Sequence, residues 1–285
     1  MKKSIAVIKA NKRLTSDVYE MELDLPLMDE DIRPGQFINI RLDGLYLRRP
    51  ISICDWDDQS IRIIYRTVGK GTEKMSRMEE GETLDIIWPL GNGFDISKRS
   101  SGEEADMDKP KLRPLLIGGG VGIPPLYGLC RRLIDMGEKP TVVLGFRSED
   151  EVFYADEFKK LGAEVILTTE DGSLGKKGRV TDVLAGMESY PIEGSQSNSV
   201  EGQTNSEESQ TYSYEKGIYI FACGPEPMLK ALDEMMPEGA GGQISFEERM
   251  GCGFGACMGC SCETKYGAKR ICKDGPVLER GEIIW

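Results

Sequence analysis

The sequence predicts a multi-domain fold in which an antiparallel β-barrel is followed by an α/β domain with a parallel sheet and then by a small cysteine-rich C-terminal module. Three observations predict it. Short strand-like runs fill about the first 94 residues, strands alternate with helices after residue 111, and five of the eight cysteines lie between residues 252 and 272. A chain of 285 residues has room for two or three compact units. The expected divisions are 1–98, 111–240 and 241–285.

The first unit has strand patterns at residues 4–9, 18–25, 36–42, 60–66 and 83–88, broken by Pro-Gly and Gly turns, with a further strand opening at Arg48 and Arg49. Many short strands with little helix make a small barrel. One helix is expected at 73–78, after Gly69-Lys70-Gly71-Thr72. Residues 97–111 are polar, charged and bounded by proline, which suits an interdomain linker. Leu115-Leu116-Ile117 then reads as a buried strand, glycines follow, and residues 125–136 read as a helix. Strands at 141–146, 164–168 and 217–222, with helical patterns at 156–161 and 180–185, complete the alternation that builds a parallel sheet. Residues 193–210 are nearly all Ser, Glu, Gln, Asn, Gly and Thr. They have too little apolar content to offset the entropy of ordering and read as a flexible surface insertion.

Hydrophobic residues make up 39% and charged residues 29%, the balance of a globular protein, and no apolar run approaches a membrane span. The apolar stretch near the N-terminus ends at Lys9, too soon for a signal-peptide core, so the expected location is the cytoplasm. A net charge of -12 without any basic run argues against nucleic acid as partner. Histidine is absent, which removes the commonest general base, the usual catalytic triad and most zinc or copper sites. The chemistry is therefore expected of cofactors, and in a cytosolic chain the crowded cysteines read as metal ligands rather than disulfides.

Cys252, Cys257 and Cys260 have the spacing C-x4-C-x2-C, followed by Cys272, which is the plant-type 2Fe-2S arrangement. A loop must curl round such a cluster so that its thiolates converge, and the interspersed glycines allow that approach. Structural zinc is the rival, but it normally uses two short knuckles and only one C-x2-C pair is available. Cys262 breaks the spacing and is the spare thiol. Arg48-Arg49-Pro50-Ile51-Ser52, then Tyr65-Arg66 and Gly69-Lys70-Gly71-Thr72, offer guanidinium and backbone N–H groups suited to the pyrophosphate of a dinucleotide such as FAD. Gly118-Gly119-Gly120-Val121-Gly122 stands between strand and helix as phosphate binding requires, without being a strict dinucleotide fingerprint. The next strand end carries Arg147 rather than a ribose-binding carboxylate, while Glu149 and Asp150 favour NAD over NADP. Cys223-Gly224-Pro225 ends the last parallel strand, where ligands sit in open sheets. Cys54 and Cys130 are expected to be core thiols, and Trp56, Trp88 and Trp285 packing residues.

These pieces, in this order, resemble the ferredoxin-NADP reductase superfamily, most closely the electron-transfer subunits of two-subunit, NAD-dependent (class 1B) dihydroorotate dehydrogenases. The likeness rests on Arg49-Pro50-Ile51-Ser52, Ile64-Tyr65-Arg66 with Gly71-Thr72, Pro89-Leu90-Gly91-Asn92-Gly93-Phe94, the glycines from 118 to 122, Ala222-Cys223-Gly224-Pro225, and the cysteine loop with its flanks. It implies an FAD-binding barrel, an NAD-binding α/β domain and a 2Fe-2S module. It also implies a partner, a catalytic subunit with FMN that oxidises dihydroorotate in pyrimidine biosynthesis, two of each subunit forming a heterotetramer. By motif position, Arg49, Pro50, Ile51, Ser52, Ile64, Tyr65, Arg66, Gly71 and Thr72 would hold FAD. Gly119, Gly120 and Cys223 would face the nicotinamide nucleotide, with Ser52 and Cys223 the candidate catalytic pair. Cys252, Cys257, Cys260 and Cys272 would be the metal ligands. Ile51 stands where the superfamily often has an aromatic residue, and Trp88 where a small one is expected. A ferredoxin- or sulfide-linked NAD(P) reductase subunit and a non-catalytic redox sensor are the alternatives.

Overall fold

The computed structural model describes residues 1–25, 32–99, 112–187, 217–236 and 240–285. The expected insertion at 193–210 and most of the expected linker at 97–111 lie outside the described residues; residues 96–99 form a short 3-10 turn.

Six strands close a barrel in the order β1-β2-β5-β4-β3-β6. They are β1 (Lys2–Arg13), β2 (Val18–Asp24), β3 (Phe37–Arg41), β4 (Arg49–Trp56), β5 (Ser60–Arg66) and β6 (Thr83–Leu90). Period-two alternation sets the interior: Ala6 and Ile8 of β1 are fully buried while Ile5 and Val7 face out. Met21, Ile38, Ile53, Ile63 and Trp88 meet them inside, each buried aliphatic or aromatic side chain contributing roughly 1.5–3 kcal/mol. Trp88 fills the barrel and donates its indole N–H to Ser4 Oγ at 3.0 Å, which accounts for the large residue at that position. Helix α1 spans Lys70–Met75 rather than 73–78. Thr72 Oγ1 accepts from the Val68 N–H (2.9 Å) and donates to the Gly69 carbonyl (3.2 Å), so the turn begins at the glycines themselves.

The second unit is wound on β7 (Arg113–Gly119), α2 (Pro124–Asp135), β8 (Thr141–Phe146), α3 (Ala155–Leu161), β9 (Glu164–Thr169), β10 (Lys176–Lys177), α4 (Val180–Met187), β11 (Ile218–Cys223) and α5 (Glu226–Met235). Its sheet runs past residue 240: β12 (Gly242–Ser245) joins β11 in parallel and, beyond a two-stranded ribbon of β13 (Ser261–Cys262) and β14 (Lys269–Arg270), β15 (Val277–Glu279) adds an antiparallel edge. The full order is β10-β9-β8-β7-β11-β12-β15. The cysteine segment is thus an excursion between two neighbouring strands, which fixes both of its ends. Residues 225–228 open α5 instead of forming a plain turn, because proline is tolerated in the first turn of a helix, where N–H groups lack partners.

Helix α2 presents Leu126, Leu129, Cys130 and Leu133 at helical spacing, all fully buried, and packs on β4 of the barrel. Cys54 and Cys130 are both core thiols there. Across this interface Arg131 donates from Nε to Asp55 Oδ1 (2.8 Å) and from Nη2 to the Trp56 carbonyl (2.9 Å), with its guanidinium 5.5 Å from the Trp56 ring centroid. Asp55→Ala leaves that half-buried guanidinium without its carboxylate. A loss of about 1–2 kcal/mol is expected once solvent screening is allowed for, read as a lower urea midpoint at unchanged slope.

Candidate functional site

Three groups of residues predicted from the sequence lie at the start of β4, at the carboxyl edge of the sheet and in the C-terminal excursion. The first is built on β4 and α1. A Cβ placed on Gly71 would collide with the Arg49 guanidinium, its Cζ only 2.9 Å away, so glycine is required for the arginine to lie over the helix start. Arg49 and residues 68–72 line a cavity of about 120 Å³. Strand alternation divides the expected FAD residues of β5. Tyr65 turns into the barrel, 2% exposed, and donates its hydroxyl to Asn11 Oδ1 at 3.0 Å, so its side chain does not reach the cavity. Ile64 faces the second unit, packed in the core that contains Leu126 and Leu129. Arg66 points out, with Nε 3.2 Å from Asp17 Oδ2 and Nη2 3.8 Å from Glu151 Oε2, yet both nitrogens are buried without a hydrogen bond. Both nitrogens are thus ion-paired but keep their hydrogen-bonding capacity, which an anionic group such as a pyrophosphate could use. Ile51 leans into the barrel core, while Pro50 and Ser52 pair with Asn39 and Phe37 of β3.

The second group lies where the strand order reverses, between β7 and β11. Cys223 pairs with Gly118 across these strands. Gly122 packs so closely on the backbone of Cys223 and Gly224 that a Cβ would lie 2.5 Å from Gly224 Cα. Gly119 is covered by Met228 and Pro225, whereas Gly120, at φ +51°, has open space before it. The glycine turn and the Cys-Gly-Pro turn therefore form one surface, with Gly120 rather than Gly119 at its open edge. Burial pushes the Cys223 thiol up to about 12, against the opposing hydrogen bond to Ser245. The residue keeps an accessible edge, but its sulfur is enclosed and stays a thiol at neutral pH. Met228 belongs to the run from Cys223 that the sequence singled out, whereas Ser245 was not legible as a member of this surface. It comes from a strand whose pairing only the fold supplies.

The third group is the cysteine excursion. Each of the four predicted ligands accepts at least one backbone N–H. Cys252 Sγ accepts from Ala256 (3.2 Å) and Cys257 (3.4 Å), Cys257 Sγ from Cys252 (3.4 Å) and Gly259 (3.5 Å), Cys260 Sγ from Cys272 (3.4 Å), and Cys272 Sγ from Gly255 (3.0 Å). The sulfurs thereby associate in two pairs, Cys252 with Cys257 and Cys260 with Cys272. Burial pushes the Cys252 thiol up, but N–H groups of Phe254, Cys257 and Ala256 and the Cys257 thiol outweigh it and bring it down to about 6. Cys272 goes the other way, to about 12, through burial and the adjoining Cys260 thiol. Cys262 stands outside this set on β13, its thiol raised by burial and by Glu248. No three described His, Cys, Asp or Glu side chains close round a single-ion position. N–H donors aimed at four sulfurs fit a cluster carrying thiolate charge.

The excursion rests on the barrel. Phe37 and Leu90 pack with Cys260, Ile271 and Cys272. Asn92, in the Pro-Leu-Gly-Asn-Gly-Phe motif, donates through Nδ2 to the carbonyls of Asp274 (3.0 Å) and Val277 (3.1 Å) and accepts from the Val277 N–H (3.2 Å).

A closed barrel with an arginine over a helix start, joined to a nucleotide-type sheet, defines a flavin reductase of the ferredoxin-NADP reductase type. Solved structures of that type share the fold: a ferredoxin NADP+ reductase from Neisseria gonorrhoeae superposes with a TM-score of 0.62 at 14% identity, over 84% of this chain and 96% of that one. An NADH-dependent reduced ferredoxin-NADP oxidoreductase superposes at 0.78 and 29% identity, over 99% and 90%. Residues 247–284 match the iron-sulfur cluster binding domain of dihydroorotate dehydrogenase B, and residues 116–234 the oxidoreductase NAD-binding domain. The dihydroorotate dehydrogenase B (NAD(+)) electron transfer subunits of Fusobacterium nucleatum and Geobacillus sp. are 40% and 38% identical to it, over 99% and 100% of this chain and 99% of each of theirs. The chain belongs to this family of electron transfer subunits. Among its described residues no helix is long and apolar enough to cross a membrane.

Proposed function

We propose that this chain takes electrons from the FMN of a dihydroorotate-oxidising catalytic subunit and delivers them to NAD by way of a 2Fe-2S cluster and FAD. Dihydroorotate loses two electrons and two protons to become orotate; NAD+ gains both electrons and one proton, and the other proton is released. The cluster supplies one-electron transfer and FAD the conversion between single electrons and a hydride. The chain's own residues bind and orient. Cys252 and Cys257 would hold one iron, Cys260 and Cys272 the other. Arg49 and Arg66 would grip the FAD pyrophosphate over Gly71 and Thr72, the backbone of Ile64 and Tyr65 would run beside it, and Pro50 and Ser52, with the backbone of Ile51, would line the flavin ring. Gly119, Gly120 and Cys223 receive the nicotinamide nucleotide. Glu149, Asp150 and Glu151 place three carboxylates at this strand end, the last paired with Arg147, which supports a free 2'-hydroxyl and so NAD.

The four N–H-bonded sulfurs carry this reading. Phe254 and Met258, 43% and 56% exposed on the same excursion, offer a rim for the partner in a heterotetramer in the cytoplasm. Likeness to the reduced ferredoxin-NADP oxidoreductase supports the alternative of a ferredoxin-linked subunit, but at lower identity than to the dihydroorotate family. Purification from cells that express the whole operon distinguishes them. The expected complex contains FMN, FAD and iron and reduces NAD with dihydroorotate; a complex without FMN, inert to dihydroorotate, defeats the proposal.

A further inference from the structure

Strand β3 is one apolar run, Phe37-Ile38-Asn39-Ile40, interrupted by a single amide. Ile38 and Ile40 fill the barrel, so Phe37 and Asn39 point outward, and both are nevertheless buried, at 3% and 1% exposure. What covers them is the cysteine excursion. Phe37 packs with Cys260 and Cys272, and Asn39 Nδ2 donates to the Cys252 carbonyl at 3.1 Å. The contact is close: Gly253, at φ +80°, comes so near that a Cβ there would collide with the Asn39 amide, its Cγ at 3.1 Å. On its other side β3 is hydrogen-bonded to β4, with Asn39 opposite Pro50 and Phe37 opposite Ser52. One strand therefore separates the residues assigned to the flavin ring from those assigned to the cluster.

We infer that Asn39 is a positioning residue for electron transfer, fixing the Cys252 arm of the cluster loop against the flavin-binding strand. This rests on the ligand assignment made above. The Asn39 Oδ1 is buried without a hydrogen-bond partner, so the orientation of the amide is set by its donor half alone. A buried amide with one unused acceptor is unfavourable for packing by itself, and an isosteric apolar residue would fill the space without that cost. The donor to Cys252 is what the amide adds. The opposite arm is held independently by Asn92, and Gly255 stays tied to Arg270 and Cys272, so loss of the Asn39 bond loosens the loop at Cys252 while the rest stays in place. A donor to the backbone of a ligating residue sets the direction of that ligand and, through the N–H groups that arm carries, the hydrogen bonding to the cluster sulfurs.

Asn39→Asp keeps the shape and, measured at alkaline pH where the carboxyl is ionised, presents only acceptors to the Cys252 carbonyl. Asn39→Ser keeps an O–H donor. In the complete complex, anaerobically purified, Asn39→Asp is expected to retain iron and FAD, to change the electron paramagnetic resonance g-values of the reduced cluster, and to slow electron exchange between FAD and cluster after mixing with NADH by about tenfold. Asn39→Ser is expected to recover most of the rate and the wild-type spectrum. If Asn39→Asp does not assemble, Asn39→Leu, matched in size and apolar, serves in its place with the same expected spectral change. Wild-type g-values and exchange rate in the assembled Asp or Leu variant overturn the role of Asn39. A wild-type complex with no 2Fe-2S signal instead overturns the ligand assignment on which the inference rests.

Discussion

Cys252→Ala is expected to abolish the cluster: iron falls to background, the resonance signal of the reduced protein disappears, and dihydroorotate-dependent reduction of NAD by the complex falls by at least about a hundredfold. The physical reason lies in the sulfur pairs. Cys252 Sγ accepts two N–H groups, from Ala256 and Cys257, so one substitution removes a ligand and leaves both of these donors without their sulfur. Reduction of FAD by NADH should survive, because the glycine turn at Gly120 and the cavity beside Arg49 are built from other elements. Cys262→Ala is the paired control. Its thiol packs beside Cys260 and Cys272 but outside the two sulfur pairs, and its removal is expected to leave iron, spectrum and rate unchanged. Full iron retention by Cys252→Ala, or iron loss in Cys262→Ala, would falsify the ligand set.

The parts of the fold that were legible in the sequence were those fixed by local period. Alternation in Ile5 to Ile8 and in Ile61 to Tyr65 marked strands with one face inside a barrel, and the spacing of Leu126, Leu129 and Leu133 marked a helix. The same alternation places Tyr65 on the face of Ile61 and Ile63, inside the barrel, although motif position put it at the cofactor. What was not legible depended on long-range pairing. A three-residue strand such as Val277–Glu279 carries almost no pattern, and its edge position exists only because β12 is beside it. Helix α5 was not predicted; Pro225 at its N-cap and Pro227 in its first turn obscure it, although proline is tolerated where N–H groups lack partners. Asn39 carried a signal in retrospect: an amide within an apolar strand needs a buried partner, but nothing in sequence said that the partner was more than two hundred residues away at Cys252.

For the flavin site, Arg49→Ala is expected to weaken FAD binding by about two orders of magnitude. Hydrogen bonds to a charged group contribute roughly 1.5–3 kcal/mol each, and a two-pronged contact with a pyrophosphate makes two; a net loss of about 3 kcal/mol corresponds to about a hundredfold. The protein should emerge from gel filtration depleted of FAD while keeping its iron, since the cysteine excursion contacts β3 and the Asn92 turn rather than α1. Arg49→Lys should fall between, because an ammonium is a point charge and cannot make the planar double contact. Gly71→Val tests the same site without touching the charge: its Cβ occupies the position of the guanidinium, so it should displace Arg49 and lower FAD occupancy comparably. Arg66 remains in both variants with its two unbonded nitrogens, which is why depletion rather than total loss of affinity is expected. Stoichiometric FAD in Arg49→Ala, measured by flavin absorbance per chain after desalting, would remove this arginine from the site and move the pyrophosphate to Arg66 alone.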